Sequence, residues 1–147
     1  VRHGNGTQDL LWDEARCLIF TSQQMPLWPG TGAEDERGEF KNIVNIPFPP
    51  GSSGALMRQK YNALVFPALQ KFKPELILIS AGFDAHEADP LAELNWSTED
   101  FSWLTERLCQ IASDYCEGRL VSILEGGYDL EALAESVKAH VMKLCEA

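Results

Sequence analysis

The 147-residue sequence predicts an α/β fold, a mostly parallel sheet with helices on both faces. Three observations predict it. The apolar runs are unbroken rather than alternating, the pattern of strands buried on both faces. Segments with apolar residues at helical spacing alternate with those runs. Each run is followed by a polar turn, and three of the turns are rich in glycine.

The elements follow in order. The opening "VRHGNGTQD" reads as the end of a strand that begins before Val1, and the chain starts without methionine. The expectation is one α/β domain over 1–147, the C-terminal portion of a longer domain whose N-terminal part is missing. "TQDLLWDEA" (7–15) predicts a helix with Thr7 as N-cap and Asp9 in its first turn. "CLIFTS" (17–22) is a buried strand, and 28–41 is a glycine-rich polar loop rather than a linker. "NIVNIPF" (42–48) is a second strand, closed by Pro49 and Pro50. The stretch 54–72 carries Leu56, Tyr61, Leu64, Val65 and Leu69 at helical spacing, with a kink expected at Pro67. "ELILISAG" (75–82) is the clearest strand. Ser97 and Asp100 form an acidic capping box ahead of a helix whose stripe is Phe101, Leu104, Leu108, Ile111 and Tyr115. "RLVSILEGG" (119–127) is the last strand, and "LEALAESVKAHVMKL" (130–144) an amphipathic helix.

Composition narrows the function classes. A net charge of −10 and a pI of about 4.6 argue against nucleic acid and anionic membranes as partners. Cysteines at 17, 109, 116 and 145 form no CxxC pair and no dense disulfide framework, which fits reduced thiols in a cytoplasm. No stretch approaches the roughly 20 apolar residues of a membrane helix, and no signal-peptide pattern opens the chain.

In open parallel sheets, ligands bind outside the carboxyl ends of the strands. Four groups stand there: His3-Gly4-Asn5-Gly6, then Thr21 and Ser22 followed by "PLWPGTG", then Gly82-Phe83-Asp84-Ala85-His86, then Glu125-Gly126-Gly127-Tyr128-Asp129. A lone aspartate after a strand is by itself a turn or cap residue, and a lone tyrosine a packing aromatic. Four decorated strand ends in one short chain carry more weight. His140 reads as a surface or packed residue, and Glu34-Asp35-Glu36 as a solvated loop.

Taken together, "HGNGTQ", "PLWPGTG", "ISAGFDAH…DPL" and "LEGGYDL" resemble the zinc-dependent histone deacetylase and acetylpolyamine amidohydrolase superfamily, nearest its bacterial class II-like members. The resemblance implies an arginase/deacetylase-like three-layer fold and hydrolysis of acetyl-lysine or acetylpolyamine amides. It implies that Asp84 is a zinc-ligand position and that the Tyr128 hydroxyl stabilises the oxyanion. Trp28 falls where the family has an aromatic wall of the acyl-lysine tunnel, and Gly126 and Gly127 where glycines line it. Thr21 and Ser22 fall where the family holds a monovalent cation, potassium being the candidate. Asp89 matches a structural turn residue, and His3 and His86 read as supporting groups.

The chemistry is coherent: amide hydrolysis wants a Lewis acid and a donor aimed at the developing oxyanion. The match departs from the family at the first strand. Its motif there is Asp-x-His-His-Gly; Arg2 replaces the ligand histidine, and the aspartate would precede Val1. A guanidinium has no lone pair to donate. Gln23 also stands where many relatives have histidine. One zinc ligand of three, the tyrosine and no general base predict a fragment inactive by itself. The alternative is a non-catalytic truncated domain, an oligomeric or binding module that self-associates or meets the missing N-terminal half through exposed edges and faces. "FDAHEADP" also compares with the metal turn of arginases, but "EGGY" favours the deacetylase side.

Overall fold

The apolar runs pair in parallel. The computed structural model describes all of residues 1–147. The chain gathers into two compact units, Val1–Gly51 and Ser52–Ala147, each containing one parallel strand pair.

In the first unit, α1 (Asn5–Leu10) precedes β1 (Ile19–Gln24) and β2 (Ile43–Phe48). The register runs from Ile19 opposite Ile43 to Gln24 opposite Phe48. Ile43, Ile46 and Phe48 are fully buried. The helix is shorter than expected and starts earlier, so Thr7 lies inside it; the cap position is Gly4, which offers no side chain. Beyond Leu10 the chain continues in tighter turns, Glu14 N–H donating to Leu11 O and Cys17 N–H to Glu14 O, both at 3.2 Å, and the Asn42 amide donates to the same two carbonyls at 2.9 and 3.2 Å. Residues 1–4 lie outside regular structure, although Gln24 N–H donates to the Val1 carbonyl at 2.9 Å.

The second unit holds α2 (Gly54–Lys60), a π-helical turn (Tyr61–Val65), α3 (Phe66–Phe72), β3 (Ile77–Ala81), α4 (Thr98–Cys116), β4 (Leu120–Leu124) and α5 (Leu130–Glu146). The irregularity expected at Pro67 lies just upstream of it. Proline has no N–H to return to residue 63, so the preceding turn widens. The extra residue in that turn shifts the buried face to Met57, Tyr61, Val65, Phe66 and Leu69 and leaves Leu64 exposed.

The capping box at the start of α4 is present: Asp100 accepts from Ser97 N at 2.8 Å while the Ser97 side chain meets the Asp100 backbone. Asp100 also receives Arg58 at 2.8 Å, which ties α2 to α4. The buried stripe of α4 is Phe101, Thr105, Cys109, Ala112 and Cys116, with Ile111; Leu104, Leu108 and Tyr115 are only half-buried. The core centres on Phe101, whose ring meets Phe83 at 5.2 Å and Trp96 at 5.9 Å.

β3 and β4 pair from Ile77 opposite Leu120 to Ala81 opposite Leu124. Ser122 on β4 touches α5, so by strand alternation Leu78, Val121 and Ile123 point away from that helix. They are exposed by 68%, 47% and 62%. No helix is long and apolar enough to cross a membrane.

Candidate functional site

In the second unit, the loops that follow β3 and β4 are stitched together. Glu125 N–H donates to Ala81 O at 3.0 Å, and Phe83 N–H donates to Gly126 O at 2.8 Å. Tyr128 N–H donates to Asp89 Oδ2 at 2.9 Å, and the other oxygen of that buried carboxylate accepts from Leu91 N at 2.9 Å. Asp84 is buried beside the backbone of Gly126, where an added Cβ would sit 2.7 Å from Asp84 Oδ2. Only glycine permits that approach. Gly127 has φ +143°, and a Cβ there would also meet Leu133 at 2.6 Å. Asp129 then caps α5, accepting from Ala132 N at 2.8 Å. The chain therefore leaves Tyr128 between an anchored glycine pair and a helix cap, with the residue 54% exposed.

These bonds bring Asp84, Asp89, Gly126, Gly127 and Tyr128 into one loop pair. His86 faces elsewhere: its Nδ1 accepts from Ala88 N at 3.1 Å, its Nε2 lies 3.5 Å from Thr98 Oγ1, and its ring stacks 6.4 Å from that of Phe101.

In the first unit, the strand-end residues enter a buried polar network. Gln8 Nε2 donates to Glu36 at 2.6 Å, so Gln8 Oε1 is left to accept. It does so from Asn45 Nδ2 at 2.8 Å and from His3 Nε2 at 3.0 Å. That assigns the His3 proton to Nε2 and leaves Nδ1 to accept from Thr31 Oγ1 at 2.8 Å. Thr21 Oγ1 donates to Asn45 Oδ1 at 2.6 Å, and Ser22 beside it is half-buried. Glu36 is thus not the solvated residue its acidic neighbours suggest. Burial raises its carboxyl pKa, but hydrogen bonds from Gln8, Gly32 and Ala33 outweigh that and hold it below the ordinary 4.5. Gln23 is fully buried; its Nε2 donates to Gly32 O at 2.6 Å, while its Oε1 has no partner. Trp28 is 70% exposed, with the Arg2 guanidinium 5.8 Å from its ring centroid in a cation–π contact.

Sequence reasoning missed Gln8 and Thr31 as partners of His3, Glu36 and Asn45 as further partners of Gln8, and Asp89 as the tether of Tyr128. The only available signal was their polarity inside or beside apolar elements.

The donor set does not fit a zinc ion held by these residues alone. Nowhere in the chain do three or more His, Cys, Asp or Glu side chains stand close enough to hold a metal. Asp84 offers one carboxylate, both ring nitrogens of His3 are engaged, and Arg2 has no lone pair.

Residues 1–144 match the family model described as histone deacetylase domain. The chain is 41% identical over 140 residues to "Histone deacetylase 10, chloroplastic" of Oryza sativa subsp. japonica, covering 93% of this chain and 32% of that protein. It is 39% identical over 134 residues to a "Probable deacetylase" of Archaeoglobus fulgidus, covering 89% and 37%. The crystal structure of the HDA15 HD domain superposes with a TM-score of 0.90 at 34% identity, over 100% of this chain and 42% of that one. The chain therefore spans 32% to 42% of the length of these matches.

Proposed function

Because this chain belongs to the histone deacetylase domain family, we propose that it carries the oxyanion-stabilising part of an acyl-amide hydrolase site. The observation that supports the reading most directly is the stitched loop pair, in which Gly126 lies on the Asp84 carboxylate and Asp89 holds the backbone of Tyr128. In this reading the Tyr128 phenol donates to the oxyanion that forms when the amide carbonyl is attacked, and a donor placed before the reaction costs no reorganisation. Asp84 is a metal-ligand position, and Gly126 and Gly127 leave room for the acyl group. Trp28 is assigned to the aliphatic chain of acetyl-lysine or acetylpolyamine only by its match to the family's aromatic wall, and the charge of −10 favours such cationic substrates by steering. Thr21 Oγ1, whose hydrogen is used on Asn45, keeps its lone pairs for a monovalent cation such as potassium, with Ser22 beside it.

No cluster among these 147 residues completes the metal site, and no general base is identified beside Asp84 and Tyr128, so the 147-residue chain alone is not expected to hydrolyse acyl amides. The test replaces the matching stretch of the Archaeoglobus fulgidus relative with this chain and measures zinc content and hydrolysis of an acetyl-lysine reporter. Arg2→His should raise zinc occupancy and Asp84→Asn should lower it. Tyr128→Phe should keep the metal and lose about 10²–10³ in kcat, the cost of one oxyanion donor. Undiminished turnover in Tyr128→Phe, or zinc-dependent hydrolysis by the 147 residues alone, would refute the reading.

A second reading rests on the bare sheet face of Leu78, Val121 and Ile123. It makes the chain a binding module that self-associates through that face. Light scattering separates the two, since a monomer at high concentration removes it. A reducing compartment such as the cytoplasm is part of the same proposal, supported by four free cysteines.

A further inference from the structure

Against Phe83 of the loop pair, at 5.7 Å between ring centroids, the second unit buries an imidazole that the proposed hydrolase site does not use. His140, on α5, lies between Thr105 of α4 and Ser122 of β4. Thr105 Oγ1 donates its hydrogen to Phe101 O at 2.7 Å, so it can only accept from His140 Nδ1, also at 2.7 Å. The proton is thereby fixed on Nδ1. The lone pair of Nε2 faces Ser122 Oγ at 2.8 Å and accepts its hydrogen. Burial holds the imidazole below its ordinary pKa of 6.5, so it is neutral near pH 7 and able to take a proton.

Ser122 and His140 both line a half-open pocket of about 140 Å³, whose other walls, among them Ala81, Phe83, Leu124, Val137 and Val141, are apolar. A cavity of roughly 150 Å³ admits a ligand of benzene's bulk, so a short aliphatic acyl chain fits this one. Ser122 is half-buried on its wall rather than sealed inside the core. A hydroxyl hydrogen-bonded to a neutral imidazole, itself oriented by a third group, is the arrangement of an activated nucleophile.

We propose that Ser122 is a nucleophile that takes an acyl group from an activated short-chain aliphatic ester, with His140 as its general base and Thr105 as the residue that positions the ring. Ser122 Oγ bonds to the ester carbonyl carbon as its proton passes to His140 Nε2. The bond from that carbon to the leaving oxygen then breaks, and His140 returns the proton to the departing alkoxide. The products are acyl-Ser122 and free alcohol. No metal takes part, and the site is independent of Tyr128.

The test exposes the purified 147-residue chain to p-nitrophenyl butyrate in the presence of EDTA and follows nitrophenolate release, intact mass and peptide maps. One butyryl group per chain, mapped to Ser122, is expected. Ser122→Ala should lose the adduct, and His140→Gln should slow labelling by about 10²-fold or more, the scale of general-base assistance. Thr105→Val should slow it and Thr105→Ser restore it. Absence of an adduct, an adduct on another residue, or an undiminished rate in Thr105→Val overturns the proposal. Peptide mapping of the unaltered chain decides the matter even where a variant fails to fold.

Discussion

In the first unit, side chains hand hydrogen bonds to one another from Thr31 through His3, Gln8 and Asn45 to Thr21, with Glu36 attached at Gln8. In the second unit, the strand-end loops are joined by backbone groups and one carboxylate, Asp89, and the phenol of Tyr128 stands out to solvent. The contrast separates two uses of polar residues at the ends of parallel strands. Where side chains satisfy each other, most of their donors and acceptors are spent, both ring nitrogens of His3 among them. Where the backbone does the fastening, a side chain is left over for an incoming group. This is why the first unit's imidazole offers no ligand while the second unit presents a donor.

Substitutions in each unit test this difference. The largest effect is expected at Phe101, which anchors the core under the second unit's loops: Phe101→Ala should cost about 3–5 kcal/mol in chemical denaturation. If the loops were held without that core, the amide of Tyr128 would keep its exchange protection in the variant. Gln8→Ala should cost about 2–3 kcal/mol, because it strands the hydrogens of His3 Nε2 and Asn45 Nδ2 and removes a donor from Glu36. A near-neutral result would mean that water replaces the amide and that the first unit is less closed than its hydrogen bonds imply.

Acid should act on the two units in sequence. His140 has a folded pKa below its ordinary 6.5, so the unfolded chain binds the proton more readily; its contribution is intact above about pH 6.5 and is lost as pH falls from there. Glu36 is held below its ordinary 4.5, so its contribution persists down to that pH and is lost only under stronger acid. Urea midpoints recorded from pH 7.5 to 3.5 should therefore show weakening of residues 52–147 first, and His140→Gln should remove that early slope. The smallest effect is expected at the cap of α5: Asp129→Ala should cost about 1 kcal/mol, seen as fraying of residues 130–133 by amide exchange.

Much of the fold was legible because an unbroken apolar run such as "ELILISAG" marks a strand, although the burial on both faces expected of it fails at Leu78, and Ser97 with Asp100 is a local signal read locally. The wide turn at 61–65 was not, since the missing N–H of Pro67 takes effect a turn before the proline. Glu36 looked solvated because its hydrogen-bond donor Gln8 lies 28 residues away and leaves no local signal among the acidic neighbours. The strand-end rule pointed to Asp84 and Tyr128, but the bond from Asp89 to the backbone of Tyr128 spans 39 positions and has no local signature. Arg2 was legible as a departure from the family's histidine; its position over Trp28 was not.

The placement of the indoles divides the optical signal of the molecule. Trp12 and Trp28 in the first unit are already open to solvent, whereas Trp96 is packed against Phe101 in the second. On denaturation, a red shift of the emission maximum must come chiefly from residues 52–147, and the fluorescence of the unaltered protein thus reports on that unit without any engineered probe.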